Sequence, residues 1–288
     1  CVSDKDKERL KKYMVKTGDI VFSRVGSVDR CSYVSAEYEG WMFSGRCLRV
    51  RPCEILNSEY LYYFFSLKET KQFVRNIATG ATMPSINTKF MGEVPIRVPS
   101  MEAQNKIASI LWMIDDKIEL NEKINNNLEQ QAQAIFDNMF PNISNGSCAI
   151  GDCITPKRGK SLLSKNAIFG NVPVIAGGLE PSTYHNVANT QSPVLAISAS
   201  GANAGYVSLW NIPIWSSDSS YIDSSMTDDV YFWYVLLKKR QKEIFDAQTG
   251  SAQPHIYPQH IASMSVSNLD IEEVHSYTSI AVSYTHLT

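Results

Sequence analysis

Thr-Gly-Ala-Thr-Met-Pro-Ser-Ile, residues 79–86, returns as Thr-Gly-Ser-Ala-Gln-Pro-His-Ile at residues 249–256, an offset of 170 residues with four identities. The same offset carries the aromatic segment 62–65 onto 232–235, and Val94-Pro95-Ile96 onto residues 264–266. Several matches at one offset indicate a duplicated module. The sequence therefore predicts two similar domains, and the segment between them indicates what kind of protein they form.

That intervening segment predicts one long helix. From Glu102 to about Phe140 it contains no Gly or Pro, and prolines bound it on both sides. At 1.5 Å per residue, such a helix spans roughly 55 to 60 Å. An alternating four-and-three spacing, typical of a coiled-coil seam that needs a partner helix, selects ten residues. They are Ile107, Leu111, Ile114, Ile118, Asn121, Asn125, Leu128, Ala132, Ile135 and Met139, in which the two asparagines would fix the register. The alternative is one member of an ordinary helical bundle.

Charge is distributed unevenly, although the formal net charge is only −2. Residues 1–100 hold 16 Lys and Arg against 11 Asp and Glu, residues 101–141 hold 3 against 7, and residues 142–288 hold 8 against 11. The eight basic residues of the last segment form two clusters, 157–165 and 238–242. Clustered positive charge favours phosphate binding. For 238–242 alone, we favour a solvated helix end, where cations suit the helix dipole.

The chain has neither a signal-peptide pattern nor an apolar run of about 20 residues, so we expect a cytoplasmic protein without a membrane span. Its six cysteines form no C-x-x-C pair and have no His at zinc-site spacing. We therefore expect reduced, mostly buried thiols, no metal site and no disulfide.

Both copies follow one order of predicted elements: a turn and strand, a glycine loop, further short strands, an aromatic helix, the Thr-Gly loop, a short helix and a last strand. The aromatic rows at helical spacing are typical of a buried core. The predicted strands lie near residues 18–24, 32–35, 41–43 and 94–96, and near 192–198, 206–208, 212–215 and 264–266; the aromatic helices span about 59–75 and 227–245.

The sequence resembles a specificity subunit of a Type I DNA restriction-modification system. The resemblance is carried by Val-Pro-Ile-Arg-Val-Pro at 94–99 running into Glu-Ala-Gln-Asn-Lys-Ile at 102–107, by Ile-Asp-Asp-Lys-Ile-Glu at 114–119, and by the two Thr-Gly-x-x-x-Pro-x-Ile loops. Gly-Asp-Cys-Ile-Thr at 151–155, which opens the second module, agrees with it.

The resemblance implies an α+β protein with two β-rich target recognition domains separated by a long coiled-coil-type helix. Each domain would recognise one half of a split sequence in double-stranded DNA, and the helices would dock methyltransferase subunits and, through them, a restriction subunit. On this basis we expect recognition domains at 1–100 and 142–270, the spacer helix at 101–141, and the start of a second spacer helix at 271–288.

Two departures from the family pattern give further expectations. Only about 100 residues precede the helix, so we expect the first recognition domain to be incomplete at its N-terminus. Residues 278–285 are rich in β-branched side chains and carry no heptad, so we expect the second helix to be truncated or atypical, and the first to be free to pair with another copy.

Recognition of a DNA sequence requires contacts to base edges as well as to phosphates. We therefore select the polar residues on the predicted loops as DNA-binding candidates, although a loop Ser or Thr also commonly caps a turn. They are Arg24, Ser27, Arg30, Thr79 and Thr82 in the first module, and Lys157, Arg158, Lys160, Ser200, Asn203, Thr249, Ser251 and Gln253 in the second.

We find no catalytic constellation. The chain lacks the N/D-P-P-Y/F loop of an adenine methyltransferase and the G-x-x-x-x-G-K-[ST] phosphate loop, and its five histidines fit no triad. We expect a non-catalytic subunit that binds no cofactor, with S-adenosylmethionine bound by the partner methyltransferase. Two alternatives remain: the recognition region of a fused restriction-methyltransferase enzyme, or a coiled-coil scaffold with no DNA role.

Overall fold

The structure is a computed structural model that describes residues 9–250 and 253–285. Internal contacts divide the chain after Leu120 into two compact units, unit 1 before this point and unit 2 from Asn121 onward. Both units contain helices and antiparallel strand pairs, which confirms the predicted α+β class. The division falls inside the helix that we predicted as a separate spacer.

Unit 1 contains a three-stranded antiparallel sheet. Its strands are β1 (Ile20–Ser23), β2 (Cys31–Tyr33) and β3 (Cys47–Val50), in the order β2-β1-β3. The sequence prediction missed β3. It placed a strand at 41–43, where only Met42 forms an isolated bridge, to Met14.

The helices of unit 1 pack against this sheet. They are α1 (Ser58–Ser66), α2 (Lys68–Ile77) and α3 (Thr88–Met91). The single helix predicted over 59–75 is wrong, because Leu67 is extended (ψ 140°) and separates α1 from α2. The predicted strand at 94–96 is also absent. The buried core joins sheet and helices and consists of Ile20, Phe22, Val28, Leu48, Leu61, Phe65, Val74, Ile86 and Val94.

The predicted long helix is present as α4 (Met101–Met139). Its first turns are fixed to unit 1 by the buried Gln104, whose amide accepts a hydrogen bond from Asn57 N at 2.8 Å and donates to the carbonyls of Ile55 and Pro99 at 3.0 Å. Further along, the Tyr63 hydroxyl donates to Asp115 at 2.8 Å. The contact face of α4 in unit 1 is therefore the Gln104 side, which is partly polar.

Unit 2 repeats the order of unit 1 and adds strands. The counterparts of β2, β1 and β3 are β9 (Val207–Trp210), β8 (Val194–Ser198) and β11 (Ser219–Asp223), and β5 (Lys157–Arg158) extends their sheet beside β11. A second sheet has the order β10-β6-β7, and a third pairs β12 with β4. These strands are β4 (Cys148–Ala149), β6 (Val172–Ile175), β7 (Thr183–His185), β10 (Trp215–Ser216) and β12 (Ser265–Val266).

The helices of unit 2 pack around its main hydrophobic core. They are α5 (Ile150–Cys153), α6 (Val230–Lys239), α7 (Gln241–Asp246), α8 (Pro258–Ala262) and α9 (Ile271–Thr285). The core includes Phe136 from the last turns of α4 and Phe140, which directly follows α4, both packed with Phe232 and Tyr277. Tyr277 also donates to the Ala132 carbonyl at 3.0 Å, so α9 is helical and packed despite its β-branched residues.

The described cysteines are free thiols, but the expectation that most are buried is wrong. Cys53 and Cys153 are exposed, and Cys31, Cys47 and Cys148 are half-buried. Cys1 lies outside the described residues. Among the residues that the structure describes, no helix is both long enough and apolar enough to cross a membrane.

Candidate nucleic-acid interface

Two loops of unit 1 are hydrogen-bonded into one surface element. The loop after β1 (residues 24–30) and the Thr-Gly loop (residues 79–86) are joined by Gly26 N to Pro84 O at 2.8 Å and by Ile86 N to Arg24 O at 3.0 Å. Thr79 and Ser85 exchange two backbone bonds of 2.9 and 2.7 Å, which close the Thr-Gly loop. We call this element, together with the adjacent Arg46, double loop 1.

Unit 2 repeats the same frame. Gly201 N donates to Pro254 O at 3.0 Å, Ile256 N donates to Ala199 O at 3.0 Å, and Thr249 and His255 exchange backbone bonds of 3.0 and 2.8 Å. We call residues 199–206 together with Asp218, 249–250 and 253–256 double loop 2. The repeat noticed in the sequence is therefore a repeat of a specific hydrogen-bonding pattern.

One glycine in each double loop is required by the backbone. Gly80 and Gly250 have φ of +101° and +94°. A Cβ at either position would lie 2.6 Å from the carbonyl oxygen three residues later, at Met83 or Gln253. Because both the left-handed conformation and the close approach exclude a side chain, these glycines hold the loop shape and leave contacts to their neighbours.

Double loop 1 is cationic. Arg24 and Arg30 are exposed on it, and Arg46 joins them because its carbonyl accepts the Arg24 amide at 2.8 Å. None of the three has an ion-pair partner within the part of unit 1 that the structure describes. Asp29 lies in the same loop, but its carboxylate is taken by Arg75 at 2.7 Å. This surface can therefore offer three guanidinium groups to an anionic ligand.

In double loop 2, a carboxylate occupies the place of Arg46. Asp218 accepts Arg158 at 2.6 Å, and the Ser200 hydroxyl donates to its other oxygen. The Ala199 amide bonds the Asp218 carbonyl at 3.1 Å, as the Arg24 amide bonds that of Arg46. Two predicted DNA-binding residues, Arg158 and Ser200, thus come together, but each is already bonded to Asp218.

The structure places the other predicted residues as follows. Ser27, Thr79 and Thr82 are exposed on double loop 1, while on double loop 2 Thr249 and Gln253 are exposed and Asn203 is half-buried. Lys157 and Lys160 are exposed at the β5 edge, where Gly159 N bonds Ser219 O at 2.8 Å. Ser251 lies outside the described residues.

The second basic cluster is mostly engaged within the protein. Lys239 pairs with Asp137 at 2.6 Å, and the buried Arg240 pairs with Glu243 at 2.7 Å and donates to the Ser265 carbonyl at 2.6 Å. Lys238 lies 4.7 Å from the centroid of the Tyr206 ring. These contacts agree with a role of 238–242 at a helix end, but the expectation that this end is solvated is wrong for the buried Arg240.

The predicted seam of α4 divides into two parts. Ile107, Ile114 and Ile118 are 41%, 51% and 52% exposed, and Asn121 and Asn125 are also exposed. From Leu128 onward the seam is half-buried in unit 2, where Asn125, Leu128 and Ala132 line a crevice of about 210 Å³ against α6. Coiled-coil pairing of the exposed part stays a prediction.

Sequence reasoning did not select four residues that the structure places on or beside the double loops: Arg46, Met83, Asp218 and His255. Met83 is 65% exposed in double loop 1, and His255 stacks on Tyr257 with ring centroids 6.0 Å apart in double loop 2. The excess of Arg in residues 1–100 was a signal for Arg46. Asp218 had no sequence signal, because it meets Arg158 from 60 positions away.

Comparisons with known proteins agree with this arrangement. Residues 2–130 match the family model described as the Type I restriction modification DNA specificity domain. The chain is 29% identical over 196 residues to the Type I restriction enzyme HindI specificity subunit of Haemophilus influenzae, covering 65% of this chain and 42% of that protein. Residues 2–130 thus carry a domain of this family, and a larger part of the chain is similar to a Type I specificity subunit. A second such subunit, MjaIX of Methanocaldococcus jannaschii, is 40% identical over 89 residues, 31% of this chain and 21% of its own length.

The fold agrees with the family. A crystal structure of the Type I restriction-modification S subunit from M. genitalium superposes with a TM-score of 0.59 at 18% identity, covering 96% of this chain and 78% of that one. The chain spans 42% of the length of the Haemophilus influenzae subunit and 21% of that of the Methanocaldococcus jannaschii subunit.

Proposed function

We propose that the chain is a non-catalytic subunit that recognises a two-part sequence in double-stranded DNA, one part through each double loop. One observation carries the proposal: the two units share a hydrogen-bonded frame but present different side chains on it. A conserved frame with variable exposed groups suits a recognition surface, because base edges are distinguished by the donors and acceptors placed against them.

Charge on both units supports DNA as the ligand. Double loop 1 offers Arg24, Arg30 and Arg46, and β5 of unit 2 offers Lys157 with Lys160 nearby. Cations that bind phosphates give affinity that falls with salt concentration, whereas contacts to base edges give the sequence preference.

Selection from a random duplex library tests the two-part recognition. We expect the chain to select two short defined stretches separated by undefined positions. Arg24→Ala with Arg46→Ala should alter one stretch only, and Gln253→Ala should alter the other only, each by about 1–3 kcal/mol at the affected base pair. One continuous consensus, or changes in both stretches from either variant, would count against the proposal.

A salt series tests the phosphate contacts. Lys157→Ala with Lys160→Ala should weaken binding to all sequences alike and reduce the slope of log K against log salt by about 2. Lys117→Ala with Lys242→Ala is the matched control, since it removes the same charge from exposed positions that belong neither to the double loops nor to the β5 edge. Affinity that does not depend on salt in the unmodified chain would favour a scaffold without a DNA role.

The exposed apolar side chains of α4 are the proposed docking surface for an adenine methyltransferase subunit, which would bind S-adenosylmethionine and bring a restriction subunit into the complex. Single exposed apolar residues are ordinary, but a row of them indicates an interaction surface. The row on the part of α4 in unit 1 consists of Ile107, Ile110, Met113, Ile114, Ile118 and Leu120, each at least 41% exposed.

Ile114→Asp with Ile118→Asp should abolish co-purification with the methyltransferase while thermal unfolding stays unchanged, because both side chains are already exposed. Lys106→Asp, on the same helix, is the control for added negative charge. If the variant lost self-association instead and kept the methyltransferase, the row would be a contact between copies of the chain.

A further inference from the structure

Phe169 in unit 2 is presented to solvent in an unusual way. Its side chain is 95% exposed, and its neighbour Ile168 is 60% exposed. Burying a Phe side chain is worth about 1.5–3 kcal/mol, so full exposure forgoes that stabilisation. Tyr184, 53% exposed, lies beside it and lines the same surface depression.

The backbone on both sides of Phe169 is held in place. Ile168 N donates to Nδ1 of the buried His185 at 3.0 Å. On the other side, Gly170 presses so closely on β7 that a Cβ there would lie 2.4 Å from the His185 carbonyl oxygen. The ring is therefore carried outward by a fixed backbone, which lowers the entropy lost when it contacts a ligand.

The same contacts link Phe169 to the basic β5 edge. The His185 ring packs edge-on against Trp215 with centroids 5.1 Å apart, and the Trp215 indole N–H donates to the Lys160 carbonyl at 2.8 Å. Lys165, four residues before Phe169, is exposed. Residues 154–218 contain Lys157, Arg158, Lys160 and Lys165 against Glu180 and Asp218, and Asp218 pairs with Arg158, so the three lysines remain against Glu180 as the positive charge beside Phe169 in the sequence.

A projecting apolar ring among cations matches a known way of deforming DNA, in which lysines and arginines hold the backbone and an apolar side chain enters between base pairs. We propose that Phe169 is such a wedge and partly unstacks the duplex held on Lys157, Lys160 and Lys165. A protein partner would also accept the ring, but it would not require the surrounding positive charge. The wedge makes unit 2 sensitive to the deformability of its half-site as well as to its base edges. It rests on the proposed DNA-binding function.

The described residues of unit 1 contain no counterpart of the β10-β6-β7 sheet that carries this loop. The proposed wedge therefore concerns the half-site that unit 2 contacts.

The test uses the full chain without a methyltransferase, so that a base flipped by that enzyme cannot contribute. Selected duplexes carry 2-aminopurine at single positions, because its fluorescence rises when stacking is lost. We expect a rise at one step of the unit 2 half-site, its loss in Phe169→Ala together with an affinity about tenfold lower, and partial retention in Phe169→Leu. Leu179→Ala, also exposed and on the β6–β7 loop, should behave as the unmodified chain.

The outcomes separate this inference from the function on which it rests. If Phe169→Ala keeps the fluorescence rise, the wedge proposal is wrong and the proposed DNA recognition is unaffected. The same holds if the unmodified chain gives no rise but binds DNA with a normal salt dependence. If the unmodified chain shows no salt-dependent binding, both are wrong. If Phe169→Ala binds DNA normally but loses a protein partner, the ring is a protein contact. Thermal unfolding should be unchanged in every variant, because the altered side chains are exposed.

Discussion

Double loop 1 and double loop 2 use the same backbone bonds around different chemistry. Equivalent positions hold different side chains. The pairs, with double loop 1 given first, are Arg24 and Ala199, Val25 and Ser200, Arg30 and Tyr206, Arg46 and Asp218, and Met83 and Gln253. Every bond that defines the frame is between backbone atoms, so the side chains can vary without loss of the loop shape. One backbone frame therefore carries different surface chemistry in the two units.

The largest effect should come from breaking the frame itself. Gly80→Ala and Gly250→Ala should each destabilise the chain by about 3 kcal/mol, because a Cβ would meet both a positive φ and a carbonyl oxygen. Gly45→Ala, where nothing lies within 4 Å of the added Cβ, is the control. Thermal unfolding measures the loss of stability. A large loss in only one of the two variants would show that the two frames are not equivalent.

A second prediction concerns the buried Asp19 of unit 1, whose counterpart position in unit 2 holds no carboxylate. Asp19 is 1% exposed and pairs with Arg51 through two bonds of 2.7 Å, whereas its counterpart in unit 2, by strand register, is Val194. Burial alone would raise the pKa of Asp19, but the hydrogen bonds from Arg51 and Lys16 lower it below its usual 3.8. Asp19→Asn should lower the free energy of unfolding at pH 7 by about 2 kcal/mol.

The sign of the pH dependence follows from the lowered pKa. The contribution of Asp19 is fully present above pH 3.8 and is lost as the pH falls through the lower folded value, where the carboxyl becomes protonated. The difference in the free energy of unfolding between the unmodified chain and the Asp19→Asn variant should therefore disappear on acidification. Asp116→Asn, on the exposed face of α4, should show no such difference, and a difference for Asp19→Asn that persists in acid would contradict this account.

The charge contrast between the double loops can be reduced by one substitution. Asp218→Asn removes the carboxylate that neutralises Arg158, so unit 2 should come to resemble unit 1 in charge. Affinity for random duplex DNA at low salt should rise several-fold, with a salt slope steeper by about 1. Asp223→Asn is an unsuitable control because it is buried, so Asp246→Asn on the surface serves instead. Unchanged affinity would place Arg158 away from the DNA.

The smallest effect should come from exchanging the loop tips. Met83→Gln and Gln253→Met should each change stability by less than about 0.5 kcal/mol, since both side chains are exposed. Total affinity should change little, but the preferred base at one position should shift, because an amide can form a bidentate pair with adenine and a thioether cannot. Repeating the duplex selection with both variants measures the shift, and identical consensus sequences would remove the tips from the recognition surface.

Much of the fold followed from local patterns. The absence of Gly and Pro over 102–140 predicted α4, and glycine-bounded apolar runs predicted β1, β8 and β9. The errors concerned features that depend on tertiary contacts. The break at Leu67 and the strand at 47–50 depend on what packs against them, and the buried row of α4 in unit 1 contains Gln104 because its amide bonds Asn57 and two loop carbonyls. Periodicity alone cannot anticipate a polar residue satisfied in this way.

The duplication and the long helix can be predicted from the amino-acid sequence alone, because they are set by repetition along the chain and by local conformation. Only the tertiary structure decided that Arg158 is neutralised by Asp218, that Arg24, Arg30 and Arg46 meet on one loop surface, and that Phe169 projects from a rigid loop near the β5 lysines. The physical reason is that charge pairing and exposure depend on distances in space between residues far apart in the chain, and local sequence does not encode those distances.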